Sequence, residues 1–140
     1  MKTKTDSELA RGMAEDIVAA MLLDGIGYGK DLSDENVVRG IVNNYIDTET
    51  APTKENYDDN FRTSGVWTFW TPGFRYNTDC PAFDEALLQK TGIDSSNEDE
   101  KDFYTLKNCK KIFEALNPLY KMAKEFVVEM ILEDPTILDD

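Results

Sequence analysis

Apolar side chains recur along most of this chain at the three-to-four-residue spacing of amphipathic helices. The first run opens with Thr5 and Glu8 at capping-box spacing, where the hydroxyl can accept the third helical amide and the carboxylate can reach back. Leu9, Met13, Ile17, Ala20 and Met21 then form a stripe that Ala10, Ala14, Val18 and Leu22 widen, and Gly25 is placed to end the helix. A face this broad is core. Ser33 reads as the N-cap of a second helix, with Asp34 and Glu35 in its first turn. Val37, Val38, Ile41, Val42, Tyr45 and Ile46 form its apolar stripe.

Further along, Pro81 suits the first turn of a third helix over residues 82–90, with Phe83, Leu87 and Leu88 as its inward candidates and Gly92 closing it. Ser95 and Glu98 repeat the capping-box spacing, so NEDEKD opens a fourth helix that continues through Leu106, Cys109, Ile112, Phe113 and Leu116. Asn117 and Pro118 are either the start of a last helix or a kink within one long helix. Leu119, Met122, Ala123, Phe126, Val127, Met130 and Ile131 follow at helical spacing.

Between residues 61 and 83 the pattern changes. This stretch holds both tryptophans, four of the seven phenylalanines and one tyrosine. Val66, Trp67, Thr68, Phe69 and Trp70 are β-branched or aromatic and too few for a helix, so they predict a short strand. Thr71, Pro72, Gly73 and Phe74 fit a type II turn, which favours an irregular antiparallel pair over a tight hairpin. The whole reads as one domain over residues 1–140, mainly α (α+β at most), a compact bundle of about five helices around a short aromatic-rich β segment.

Charge changes this picture more than composition does. The net charge is −13, beyond the magnitude of roughly 2–8 usual for a small domain. The acids are regional: residues 47–59, 94–102 and 129–140 contribute −4, −4 and −5, and the rest of the chain balances. Such a surface repels nucleic acid and anionic membrane and favours a basic protein.

Candidate chemistry is sparse. GIGYGKDLS, residues 25–33, has glycines and a lysine, but Asp31 follows Lys30 where a Walker loop needs Ser or Thr, and Asp24 stands at the first glycine's place. The dinucleotide fingerprint fails at Lys30, so the segment reads as a turn between helices. Asp58, Asp59 and Asn60, and separately the residues from Asp94, lack the glycine and terminal glutamate of a calcium loop. With no histidine and only Cys80 and Cys109, the chain lacks the usual zinc sites and Ser–His–Asp chemistry, and no cofactor or metal is expected. Cys109 falls on an apolar stripe and reads as core. The lysines of MKTKTDSELARG precede no signal-type apolar run, and no stretch is long enough to span a bilayer, so a cytoplasmic location is expected.

A non-enzymatic binding protein is the expectation, ahead of a small enzyme whose acid–base work would fall to carboxylate pairs. Its acidic contact residues would be Asp58, Asp59, Glu98, Asp99, Glu100, Glu133, Asp134, Asp139 and Asp140, facing a basic partner such as a nuclease or another nucleic-acid-binding protein. In its sharpest form the carboxylates stand in for phosphates, in the manner of phage-borne DNA mimics that act against restriction or CRISPR nucleases. That likeness is in composition alone. The alternative is an interaction or scaffold domain binding through Trp67, Trp70, Phe74, Arg75 and Tyr76.

Overall fold

A computed structural model of the chain describes residues 3–55, 81–94 and 105–138. Four helices stand among them: α1, Asp6–Leu23; α2, Glu35–Tyr45; α3, Pro81–Thr91; and α4, Leu106–Glu133. The protein is mainly α, and the described residues contain no strand. The aromatic segment expected to pair as strands lies outside the described residues.

α1 starts as its sequence dictates. Thr5 Oγ1 accepts the Glu8 amide and Glu8 Oε1 accepts the Thr5 amide, both at 3.1 Å, which satisfies two donors that a helix start leaves open. It ends at Asp24 because Gly25 adopts φ +67°, and the Ile26 amide then reaches back to the Met21 carbonyl at 2.9 Å. Leu9, Met13, Ile17 and Met21 are fully buried along its inner face. The exposed Arg11 lies over the Phe126 ring of α4 at 4.3 Å.

α2 is capped one residue later than expected. Asp34, not Ser33, accepts the Asn36 and Val37 amides, at 2.9 and 3.4 Å. Ser33 is drawn away because its own amide and hydroxyl donate to Asp31 Oδ1, at 3.1 and 2.6 Å. The Tyr45 hydroxyl donates to Asp24 Oδ2 at 2.6 Å and ties the end of α2 to the end of α1.

α4 replaces the two helices expected on either side of Pro118. Thr105 caps it, accepting the Asn108 amide at 3.2 Å, and the helix passes through Pro118 without ending. Of the two readings of Asn117 and Pro118, a single helix is therefore the right one, and the count of about five is not reproduced among the described residues. The reason lies in packing. Cys109, Ile112 and Leu116 before the proline and Leu119, Ala123 and Val127 after it share one buried face, and Pro118 sits on the exposed one. At 28 residues, α4 is about 42 Å long, and α1, α2 and α3 all pack against it.

α3 runs antiparallel to α1. At one end, a Cβ on Gly12 of α1 would come within 3.1 Å of Ala82, so the two backbones approach closely there. At the other end the Lys4 amide donates to Gln89 Oε1 at 3.1 Å, Gln89 Nε2 donates to the Lys4 carbonyl at 2.8 Å, and Lys90 Nζ pairs with Asp6 at 2.5 Å. Phe83 and Tyr120, both fully buried, meet between α3 and α4 with ring centroids 6.5 Å apart.

Candidate functional site

Of the nine acids singled out in the sequence, the structure describes Glu133 and Asp134, both exposed at the C-terminal end of α4. Asp58, Asp59, Glu98, Asp99, Glu100, Asp139 and Asp140 lie outside the described residues, as do Trp67, Trp70, Phe74, Arg75 and Tyr76 of the aromatic alternative.

The end of α4 is a built corner. Asp134 is its C-cap, donating its amide to the Met130 carbonyl at 3.1 Å. Asp134 Oδ1 accepts the amide and hydroxyl of Thr136, at 3.1 and 2.5 Å, and turns the chain. Leu138 is then buried against the loop that joins α1 to α2. A Cβ on Gly27, at φ +91°, would meet Leu138 Cδ1 at 3.2 Å, and glycine there allows the close approach. Residues 135–138 are held because Ile137 and Leu138 find apolar cover.

Between the loop and the tail opens a concavity of about 950 Å³, with Gly25 to Ser33 on one side and Pro135, Thr136 and Leu138 on the other. Leu23 and Tyr28 stand out from it, 64 % and 94 % exposed. The loop acts as the helix-to-helix turn expected of it. Its glycines do not make an anion cradle with α2, because the Asp34 carboxylate already occupies the amides at the start of that helix.

Compensation of charge differs along α4. Arg39 of α2 reaches both oxygens of Glu125 at 2.9 Å while its Nε donates to Glu35 at 3.1 Å, and these carboxylates raise the guanidinium pKa above its ordinary value. Lys124 donates to Thr48 Oγ1 at 3.1 Å. Burial lowers its pKa, against the opposing pull of Asp47 and Glu49, so the start of the first acidic segment lies beside the middle of α4. Towards the end the bases stop. Glu129 and Glu133 form no ion pair among the described residues, and with Asp134 they lie where the helix dipole disfavours carboxylates.

One acid of consequence was missed in the sequence. Asp16 of α1 is 6 % exposed and accepts the Ala82 and Phe83 amides, both at 3.1 Å. It caps α3 from another helix, since the residue before Pro81 is Cys80 and not a capping type. Burial pushes its carboxyl up to about 6, and its bonds to the Phe83 and Ala82 amides only partly oppose this. A signal existed: Asp16 lies on the same helical stripe as Leu9, Met13 and Ala20. A buried carboxyl of this kind is a catalytic signature when it faces a cleft. Asp16 faces two amides and does not line the concavity, so its work is structural.

Burial pushes the Cys109 thiol up to about 12, which leaves it a core side chain. No group of His, Cys, Asp or Glu among the described residues could hold a metal, and no helix there is long and apolar enough to cross a membrane. Comparison of the chain with protein families, with curated proteins and with solved structures gave no match.

Proposed function

We propose that the protein acts by binding, through an acidic surface that engages a basic partner. The observation that carries this reading is the end of α4. Glu129, Glu133 and Asp134 are exposed there, unmatched by a base among the described residues, and placed against the helix dipole. Glu129 and Glu133 do nothing for the helix they sit on and are available to a partner, and Asp134 adds its charge although one of its oxygens holds the Thr136 turn.

In its sharpest form the partner is a nuclease or another nucleic-acid-handling protein, and the acidic surface occupies its phosphate-binding groove. Duplex DNA presents one charge per about 1.7 Å of axis, so the groove of such a protein holds cations spaced to meet rows of acids. An inhibitor of this kind would suit a phage facing restriction or CRISPR nucleases.

The test is capture of a partner from host lysate by the tagged protein, eluted along a salt gradient, beside the triple variant Glu129→Gln, Glu133→Gln, Asp134→Asn. Asparagine keeps an acceptor for the Thr136 turn. A nucleic-acid-binding protein released at moderate salt, and lost from the variant, supports the proposal. Capture unchanged in the variant, or a partner that resists high salt, sinks it and favours the aromatic segment.

A further inference from the structure

The solvent face of α4 carries an ordered sign pattern in which, among the described residues, the single chain pairs Glu125 alone. Directly opposite the buried stripe of Cys109, Leu116 and Ala123 lie Lys107, Lys111, Glu114, Lys121, Glu125 and Glu129, all exposed. They are spaced by three, four or seven residues, the repeat that keeps one line on a helix facing one way. Pro118 lies on the same line near its middle.

The signs are segregated. Bases dominate the first half and acids the second, which is the reverse of what the helix dipole favours at both ends. Lys107, Lys111, Glu114, Lys121 and Glu129 form no ion pair among the described residues. Glu125 is held by Arg39, which fixes its carboxylate, yet its side chain remains 61 % exposed.

We propose that α4 pairs antiparallel with α4 of a second copy of this chain, about a two-fold axis at Pro118. In that register Lys107 faces Glu129 of the other copy, Lys111 faces Glu125, and Glu114 falls within one residue of Lys121. Each contact occurs twice by symmetry. A parallel alignment would set lysine on lysine and glutamate on glutamate, so the pattern selects the antiparallel one. The paired stretch spans about 33 Å of helix axis. Proline at the axis suits a position where both helices present a side chain without a long charged stem.

The association is weak, because exposed ion pairs contribute little and each chain carries −13. Salt screens the pairing and the overall repulsion alike, so complementation is the better test. It uses the single reversals Lys107→Glu and Glu129→Lys, neither of which removes an ion pair within the described chain. Both also bring α4 into accord with its dipole, so neither is expected to unfold it.

Sedimentation velocity over a concentration series up to about 1 mM should show a reversible wild-type dimer. Each reversal alone should weaken it about tenfold, since two like-charge contacts replace two pairs. An equimolar mixture of the two should recover association towards wild type through a heterodimer. A monomeric wild type at the highest concentration, reversals without effect, or a mixture that does not recover would each overturn the proposal.

Discussion

Replacing Asp16 with asparagine isolates the effect of burying a charge where α1 meets α3. Asparagine keeps an oxygen that can accept the Ala82 and Phe83 amides, but it does not titrate. In the native protein burial pushes the Asp16 carboxyl up to about 6, against about 3.9 in an unfolded chain. A carboxyl raised on folding holds its proton more tightly in the native state. Its contribution to stability therefore grows as pH falls through the native pKa, and is complete below the unfolded one. Taken whole, the shift corresponds to about 3 kcal/mol, of which about 2 kcal/mol is reached by about pH 4.5. The start of α3 favours the anion through its dipole, which brings the expected change down to about 1–2 kcal/mol.

The assay is chemical denaturation of both proteins at about pH 7.5 and about pH 4.5. The difference between them should move in favour of wild type on acidification by the amount just given. Taking the difference removes the opposite behaviour of Glu8 and Asp31, whose lowered pKa values contribute stability that is lost in acid. A difference that stays flat, or that moves against wild type, refutes the reasoning. It would mean that two amides and a helix terminus outweigh burial. Asp16→Ala, which leaves both amides without their acceptor, should cost about 1–3 kcal/mol at either pH.

Two other perturbations read the backbone. Gly27→Ala should destabilise more than Gly29→Ala, because both have positive φ but only Gly27 also faces Leu138 and Leu32 at 3.2 and 3.5 Å. About 1 kcal/mol for Gly29→Ala and about 2 kcal/mol or more for Gly27→Ala is expected by denaturation, and equal effects would dismiss the Leu138 contact. Pro118→Ala should stabilise, since an exposed proline inside α4 forfeits a hydrogen bond at a cost of about 3 kcal/mol relative to alanine. A thermal midpoint that falls instead would show that the proline sets a path the packing needs.

The sequence was informative where one face of a helix is buried. The stripes of α1, α2, α3 and α4, the Thr5 capping box and the glycine stops at Gly25 and Gly92 are local patterns, and local patterns survive folding. It was less informative where two candidates of equal propensity compete, as Ser33 and Asp34 do. Asp31 decides between them by taking the Ser33 hydroxyl. Contacts between distant parts of the chain were not legible at all. Asp16 and Gly12 interrupt the apolar and helix-favouring pattern of α1, and both are there for α3, whose N-terminus is more than sixty residues away. Of the nine acids expected to make contact, Glu133 and Asp134 are placed, and the other seven and the aromatic segment lie outside the described residues.

The charges of α4 make a last argument, because stability and binding should respond to them with opposite signs. In α1 the first turn holds Asp6 and Glu8, where the dipole favours them. In α4 the order is inverted, with Lys107, Lys110 and Lys111 at the start and Glu129 and Glu133 at the end. If these residues served only the fold, reversing them would be neutral or harmful. On the dipole argument Lys107→Glu and Glu133→Lys should each stabilise the chain by about 0.3–1 kcal/mol at low salt. The first should at the same time weaken association between copies, and the second should weaken capture of a basic partner. A stability gain with no loss of either interaction would leave the inverted charges without a use. A stability loss would show that they are held by contacts within the chain.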